Sequence, residues 1–280
     1  HGIKTDINTP YIAEMARQFA VEQLGSEAYN GGYIVQTTID SHLQLVAQQA
    51  VWDGATDYDK RHGYRGAEKH FPAPTLPPQH VPSYWSIVLR DFVKIGDLEP
   101  AIVVRIGKSS MTLALSDRQN ITLNWSAEEA KRLQPYKSEN YVAPAPKSFS
   151  QIFQVGDLIR VRNTKENQWE IGQIPHIQSA LVSLDSKTGA VIALAGGIDF
   201  AYSKFNRATQ ALRQPGSSFK PFIYLKALEN GYTPASLVND APIVFQEAGM
   251  SKPWRPENHG GTYLGPIPLR QALYQSRNMV

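Results

Sequence analysis

The first apolar residues of the chain recur with the spacing of an α-helix. In NTPYIAEMARQFAVEQLG they fall three and four positions apart, on one stripe formed by Ile12, Met15, Ala16 and Phe19. Thr9 is the candidate N-cap, Pro10 suits the first helical position and Gly25 suits a left-handed exit. The pattern therefore predicts a helix within residues 8–25.

A strand and a second helix are predicted next. GGYIVQTTID is rich in β-branched residues and predicts a strand, after which Asp40 or Ser41 begins a helix. The helical period is carried by Leu43, Val46, Ala47, Ala50 and Val51. The following YDKRHGYRG mixes aromatic and basic residues. Nearby acidic residues favour a solvated turn region over a nucleic-acid surface, namely Asp57, Asp59 and Glu68.

Proline then interrupts the regular pattern. FPAPTLPPQHVP holds five prolines in twelve residues and predicts a linker. Short β-rich stretches follow, separated by polar turns: SYWSIVLRDF, PAIVVRIG, SMTLALSD, QNITLNW, GDLIRVRN and QWEIGQIP. Ser126 with Glu129 has the spacing of a capping box and predicts a helix among them. Five or six strands around one helix predict a small barrel of the oligonucleotide/oligosaccharide-binding (OB) type.

Two apolar stretches around a polar turn predict a β-hairpin in LVSLDSKTGAVIALAGG. Gly189 is free to take a positive φ there, and Lys187 and Thr188 lie at the tip of the turn. The tripeptide is also K-T-G, one of three motifs typical of enzymes that acylate a serine with a peptide or a β-lactam. Two interpretations follow: a turn that binds nothing, or a strand that binds a carboxylate.

Composition limits the classes of function. The 280 residues are 42% hydrophobic and 19% charged, which predicts a globular chain with room for two domains. The net charge of +3 comes without a long basic run, so nucleic acid is not indicated. Apolar runs stay short of the roughly 20 residues of a membrane helix, so any anchor is expected outside this chain. The chain has no cysteine and its seven histidines lack ligand spacing, so we expect no metal or other cofactor.

A candidate nucleophile lies in RQPGSSFKPFIYLKALENGYTP. Ser217 and Lys220 have the form S-x-x-K, and on a helical or 3₁₀ turn this spacing lets the amine reach the hydroxyl. Pro221 must lie near the helix start, so Ser217 is predicted at a helix N-terminus, which favours the charge developing during attack on a carbonyl. Lysine acts as the base only if desolvation or positive potential lowers its pKa. The alternative, non-catalytic interpretation is a serine that caps the helix and a lysine that is solvated.

A second motif lies near the end of the chain. GPIPLRQALYQSRNMV predicts a helix carrying Leu269, Ala272 and Leu273, and just past it Ser276 and Asn278 form S-x-N. Taken alone, this motif is a common helix cap. Following an S-x-x-K, it is typical of penicillin-binding proteins and serine β-lactamases.

Longer stretches resemble the class A (bifunctional) penicillin-binding proteins, particularly the Gram-negative 1a type. They cover nearly the whole chain: TTIDSHLQLVAQQAV, YDKRHGYRG, SALVSLDSKTGAVIALAGG, ATQALRQPGSSFKPFIYLKALENGYTP, WRPENHGGTYLGPIPLRQAL and SRN. The resemblance implies an α+β fold, with a truncated transpeptidase domain of antiparallel sheet and helices plus an inserted OB-like β-barrel. It implies a helical junction after a glycosyltransferase domain at 1–32, a linker and N-terminal part of the transpeptidase region at 33–80, the OB-like barrel at 81–176 and the transpeptidase domain at 177–280.

The same resemblance implies a peptidoglycan DD-transpeptidase in the parent protein. Ser217 would be the nucleophile, Lys220 its base and Ser276 part of the proton relay, while Asn278 would bind the substrate amide. In the family the catalytic K-T-G follows both other motifs. Lys187 is therefore assigned to the turn, the third motif is expected beyond Val280, and the chain alone is expected to be inactive.

Partners and location are implied in the same way. The expected ligands are peptidoglycan stem peptides and β-lactams, at the periplasmic face of the Gram-negative inner membrane, with no nucleic acid. An outer-membrane or periplasmic regulatory protein is a candidate partner of the OB-like domain. Three alternatives stay open: a serine β-lactamase, which fast deacylation would reveal; a β-lactam sensor, which forms no cross-links; and an interaction module built on residues 81–176.

Overall fold

The structure, a computed structural model, has two compact units, residues 1–211 and residues 212–280. It describes residues 7–72, 74–75, 80–164, 168–244 and 253–280. Both units combine helices with antiparallel strands, which confirms the predicted α+β class.

The first unit contains most of the secondary structure. Its helices are α1 (Pro10–Leu24), α2 (Glu27–Asn30), α3 (Ser41–Arg61), α4 (Val81–Leu89), α5 (Ala127–Arg132) and α6 (Arg207–Gln210). Its strands are β1 (Lys69–His70), β2 (Glu99–Ile106), β3 (Ser110–Leu115), β4 (Asn120–Asn124), β5 (Tyr136–Ser138), β6 (Tyr141–Val142), β7 (Asp157–Asn163), β8 (Trp169–Gly172), β9 (Leu181–Leu184) and β10 (Val191–Ala195). A 3₁₀ turn spans Phe149–Gln151.

A six-stranded sheet forms the centre of this unit. Its strands run in the order β1-β7-β2-β3-β4, with β8 paired to β7. Successive side chains of a strand point to opposite faces, so Ala101 and Val103 join one buried cluster while Ile102 joins another. Both faces of β2 are therefore covered. The stretches that predicted β2, β3, β4, β7 and β8 are confirmed as strands.

The first stretch predicted as a barrel strand, SYWSIVLRDF, is wrong because its residues lie mainly in helix α4. Pro82 occupies the helix start, where its missing N–H costs nothing. Trp85 and Leu89, four residues apart, are buried against Ile102 on the sheet. A short apolar run fits a buried strand and a buried helix equally well. The predicted linker lies partly outside the described residues, at 73 and 76–79.

The hairpin β9–β10 packs against helices α1 and α3. The pairing is antiparallel, as predicted, and Leu194 of β10 contacts Tyr11 and Ile12 of α1. The buried Gln44 side chain of α3 satisfies the Leu194 backbone, because its amide donates to the carbonyl at 2.7 Å and its oxygen accepts from the N–H at 2.8 Å. Gln44 thus replaces a neighbouring strand at this position.

Two predictions near the N-terminus are corrected by the structure. The strand predicted over GGYIVQTTID is absent from these described residues, because a strand needs a partner ladder and Ile34 is 94% exposed. Only its end meets β10, where the Asp40 N–H donates to the Ile192 carbonyl at 2.9 Å. Helix α1 is confirmed, but the Thr9 side chain makes no capping bond and Phe19 is exposed.

Helix α3 is confirmed with Asp40 as its cap, because the carboxylate accepts from the Leu43 N–H at 2.8 Å. It continues to Arg61, so the solvated turn predicted for YDKRHGYRG is wrong for its first half. Asp59 is buried there and forms a two-point ion pair with Arg65 at 2.7 and 2.9 Å. Burial of a carboxylate is tolerated because the guanidinium compensates its charge.

The second unit is small and is built around one strand pair. Its elements are a 3₁₀ turn (Gly216–Phe219), α7 (Lys220–Glu229), β11 (Leu237–Asp240), β12 (Gly265–Pro268) and α8 (Leu269–Tyr274). β11 and β12 pair antiparallel, with Asp240 opposite Gly265, and β12 continues directly into α8. The helices predicted around Ser217 and before Ser276 are therefore confirmed.

Two further features are absent from the described ranges, a membrane-spanning helix and a metal-binding cluster. No helix there combines the length and apolar character needed to cross a membrane. No group of three or more His, Asp or Glu side chains in those ranges is arranged to hold a metal ion.

Candidate functional site

The S-x-x-K motif lies where a 3₁₀ turn becomes a helix. Ser217 is exposed within the turn Gly216–Phe219, and Lys220 is the first residue of α7. Pro221 occupies the first turn of α7, where no intrahelical donor is required. The sequence therefore places the hydroxyl one turn before the amine, at a helix start.

The Lys220 amine is surrounded by oxygen atoms of the S-x-N motif. Its Nζ donates to the Ser276 carbonyl at 2.7 Å, the Ser276 hydroxyl at 3.1 Å, the Arg277 carbonyl at 2.9 Å and the Asn278 side-chain oxygen at 2.7 Å. An ammonium has only three N–H groups, so these four oxygens share them. Two short motifs 56–58 residues apart in sequence thus meet at one nitrogen.

The Ser217 hydroxyl is not hydrogen-bonded to the Lys220 amine in the described part of the chain, although the Lys220 backbone N–H donates to the Ser217 carbonyl. All four acceptors of the Lys220 amine belong to residues 276–278. Catalytic hydrogen bonds are often absent from unliganded sites and form in the substrate complex. The structure brings three of the four predicted site residues together and leaves Ser217 one turn away.

Two opposing effects act on the pKa of Lys220. Partial burial lowers the pKa because it disfavours the charged amine. The surrounding oxygen acceptors favour the ammonium and oppose that shift. Lysine acts as a base only in its neutral form, so the lowering of its pKa by burial favours this role. Loss of one oxygen acceptor on substrate binding would lower the pKa further.

Ser276 has an unusual backbone conformation. Its φ is 52°, and a non-glycine residue in this left-handed region costs about 1–2 kcal/mol. The Ser276 N–H donates to the Leu273 carbonyl and the Arg277 N–H donates to the Ala272 carbonyl, both at 2.9 Å. These two bonds form the Schellman motif that ends many helices, with serine where glycine is usual. The end of α8 therefore determines where Ser276 points.

Residues that the sequence did not single out support this turn. Asp240, which is fully buried, accepts from Arg277 Nε at 2.7 Å and from Asn258 Nδ2 at 2.6 Å. Asn258 in turn accepts from the Asn278 N–H at 2.7 Å. Sequence spacing could not have found these partners, because Asp240 and Arg277 are 37 positions apart.

Comparison with known proteins decides the family. The family model described as penicillin-binding protein OB-like domain matches residues 64–177, and the model for the penicillin binding protein transpeptidase domain matches residues 179–280. The whole chain is 50% identical over 280 residues to penicillin-binding protein 1A of Pseudomonas aeruginosa. The chain belongs to the penicillin-binding proteins. The resemblance of the sequence to this family is therefore confirmed.

Further penicillin-binding proteins of the 1A type are similar along the whole chain. The protein of Escherichia coli is 41% identical over 284 residues. The crystal structure of penicillin-binding protein 1A from Haemophilus influenzae matches 99% of this chain and 39% of that chain, with a TM-score of 0.83 and 37% identity. The chain spans about a third of the length of the curated relatives it matches.

The K-T-G tripeptide of the hairpin forms its hydrogen bonds within its own turn. One oxygen of Asp185 accepts from the Lys187 N–H at 3.1 Å, the Thr188 N–H at 2.8 Å and the Thr188 hydroxyl at 2.8 Å. The Thr188 hydroxyl is the main cause that holds the pKa of Asp185 below its ordinary value. Gly189 has a φ of 74°, as the hairpin predicts. In this penicillin-binding protein segment the tripeptide is a turn whose three backbone N–H groups and Thr188 hydroxyl are bound by Asp185.

A double substitution tests this assignment. Lys187→Ala with Thr188→Ala in the complete protein should leave acylation by a fluorescent penicillin unchanged, because neither side chain contacts substrate. Loss of the exposed Thr188 hydroxyl bond to Asp185 should lower the melting temperature only slightly. Ser186→Ala, at the neighbouring exposed position, is the control. Slow acylation with an unchanged melting temperature would identify the tripeptide as catalytic.

Proposed function

We propose that the complete protein is a serine-type D-Ala-D-Ala transpeptidase that cross-links peptidoglycan and is acylated by β-lactams at Ser217. The observation that carries this proposal is the meeting of Lys220 with Ser276 and Asn278 beside the turn that contains Ser217. A solvated lysine on an ordinary surface helix would not have four oxygen acceptors around its amine. The transpeptidase family model over residues 179–280 supports the same reaction class.

The acylation step assigns one role to each residue. Ser217 Oγ attacks the carbonyl of the penultimate D-Ala while neutral Lys220 takes the hydroxyl proton. The peptide C–N bond breaks, and the departing D-Ala amine receives a proton through Ser276 from Lys220. Asn278 would donate its side-chain amide to the substrate backbone. The first N–H groups of a helical turn lack internal partners, so the Ser217 N–H is suited to the oxyanion.

The second step transfers the acyl group. An amine of a neighbouring stem peptide attacks the Ser217 ester, the C–O bond breaks, and the serine recovers its proton. A β-lactam would acylate the same oxygen and block this transfer, because its opened ring stays attached. The third motif of the family, a later K-T-G, would supply the carboxylate-binding strand of the complete protein.

The setting of the reaction belongs to the same proposal. We place the complete protein at the periplasmic face of a Gram-negative inner membrane, with a glycosyltransferase domain before this segment. Similarity to penicillin-binding protein 1A along the whole chain supports both points. A regulatory partner of the OB-like region and the domain limits at residues 32, 80 and 176 stay predictions.

An assay with lipid-linked peptidoglycan precursor tests the proposed activity. The complete protein should release one D-Ala for each cross-link formed, and penicillin should block both products through a long-lived acyl-enzyme. Rapid hydrolysis of penicillin would instead identify a β-lactamase. Stable acylation without cross-linked product would identify a β-lactam sensor.

A further inference from the structure

A carboxylate is buried beneath the S-x-N turn. Asp240, at the end of β11, is 0% exposed and accepts from Arg277 Nε at 2.7 Å, Asn258 Nδ2 at 2.6 Å and the Leu264 N–H at 3.0 Å. Burial raises its pKa, but these hydrogen bonds outweigh burial and hold the pKa below its ordinary value. Asp240 is therefore charged at neutral pH and fully engaged with its neighbours.

Arg277 connects this carboxylate to the lysine. Its guanidinium binds Asp240 and also donates to the Thr262 carbonyl, whereas its own backbone carbonyl accepts from Lys220 Nζ at 2.9 Å. The guanidinium is planar and rigid, so two anchoring points fix its orientation. Through Arg277, the position of an oxygen that binds the lysine depends on the buried carboxylate.

Asn258 makes the second connection. It is 4% exposed, and its Nδ2 donates to both Asp240 and the Thr262 carbonyl, the latter at 3.0 Å. Its oxygen accepts from the Asn278 N–H at 2.7 Å, while the Asn278 side chain donates to the Glu257 carbonyl at 3.0 Å. Asn278 is thus held at its backbone and its side chain, with its Oδ1 directed at Lys220.

The left-handed backbone conformation of Ser276 explains why residues 277 and 278 must be held in place. Ser276 lies one residue before Arg277 with a φ of 52°, a conformation that persists only where the surroundings enforce it. The Schellman bonds of α8 hold it from one side, and the Asp240–Asn258 pair holds residues 277 and 278 from the other.

We propose that Asp240 and Asn258 are positioning residues for acylation, which act through Arg277 and Asn278 to fix the oxygens around Lys220. This inference rests on the proposed function. It assigns to the middle residue of the S-x-N motif a task that the motif itself does not specify. Neither positioning residue is assigned a substrate contact: Asp240 orients Arg277, whose carbonyl binds Lys220, and Asn258 orients Asn278, which binds Lys220 and would bind the substrate.

The test compares two carboxylate-to-amide substitutions in the complete protein. Asp240→Asn keeps the shape but removes the charge, and we expect about 10²-fold slower acylation by fluorescent penicillin, the loss typical of a misplaced catalytic group. Glu229→Gln is the matched control, because Glu229 forms an exposed pair with Lys226 on α7. It should acylate at the rate of the unsubstituted protein.

The pH profile separates positioning from general instability. Loss of the anion and of ordered oxygen acceptors favours neutral Lys220, so the acid limb of the acylation profile should move to lower pH in Asp240→Asn. Acylation within threefold of the unsubstituted protein, or a slower rate with an unchanged pH profile, would overturn the proposal.

A second variant covers the case in which Asp240→Asn does not fold. Arg277→Lys keeps the charge but loses the two-point geometry, and the same rate loss is expected. Because this variant retains the Asp240 anion, its shift of the acid limb to lower pH arises only from the loss of ordered oxygen acceptors around Lys220, and an unchanged rate or pH profile would overturn the proposal. The unsubstituted protein, measured in parallel, keeps the two claims distinguishable. If it is not acylated at Ser217, the proposed function fails; if it is and both variants acylate normally, only the positioning role fails.

Discussion

Replacement of Ser217 by alanine in the complete protein is expected to abolish covalent labelling by fluorescent penicillin. The reaction forms an ester to the serine oxygen, and no residual route exists once that oxygen is removed. Ser217 is exposed within its 3₁₀ turn, so the substitution should leave the melting temperature nearly unchanged. Fluorescence of the protein band after electrophoresis measures the result.

Ser218→Ala is the matched control for this experiment. Ser218 follows Ser217 in the same turn and is also exposed. It should label at the normal rate, because one position along a helical turn points the side chain in another direction. Labelling of Ser217→Ala, or loss of labelling only in Ser218→Ala, would assign the nucleophile to another residue.

Replacement of Lys220 by alanine should slow acylation by about 10²–10⁴-fold, the contribution of a positioned general base. This loss of acylation rate should exceed the loss caused by removing any single substrate contact, because the Lys220 amine also binds Ser276 and Asn278. Lys226→Ala on the same helix is the control, since Lys226 is exposed and pairs only with Glu229 among the described residues. Stopped-flow acylation of the two variants measures the difference.

The pH dependence follows from the same residue. The base is neutral lysine, and burial lowers its pKa, so acylation by the unsubstituted protein should rise with pH as the amine loses its proton. In Lys220→Ala this rise should disappear together with the rate. A variant that acylates within threefold of the parent, with the same pH profile, would remove Lys220 from the role of base.

Sequence patterns predicted the regular elements where periodicity was strong. Helices α1 and α3 follow the helical apolar spacing, whereas strands β2, β3 and β4 are short β-rich stretches bounded by polar turns. The sequence of the α4 segment predicts a strand because its apolar run is short, and its burial on the sheet depends on contacts with distant Ile102 and Leu158. The strand predicted before Asp40 failed for the same reason, since a partner strand is a tertiary property.

The candidate site also combines residues that the sequence identifies with residues that only the structure identifies. S-x-x-K and S-x-N could be found in the sequence because their chemistry depends on spacing within one turn. Their supporting residues could not, because Asp240 and Asn258 reach the motif only after β11 pairs with β12 and α8 follows. Arg277 occupies the unspecified position of S-x-N, yet its side chain connects the motif to the buried Asp240, 37 positions earlier in the chain.

The K-T-G of the hairpin illustrates a limit of motif matching. Three letters identical to a catalytic signature lie in a turn around Asp185, which accepts from the Lys187 N–H, the Thr188 N–H and the Thr188 hydroxyl. Order along the chain already favoured a turn, and the pairing of its polar groups provides the physical reason.

Mass spectrometry of the penicillin-acylated complete protein tests the central claim most directly. Trypsin should release residues 214–226 as one peptide, because Pro221 prevents cleavage after Lys220, and fragmentation distinguishes Ser217 from Ser218. We predict one penicilloyl adduct per molecule, attached to Ser217. An adduct on any other residue, Ser218 included, with Ser217 unmodified, would contradict the assignment of the nucleophile and the mechanism built on it.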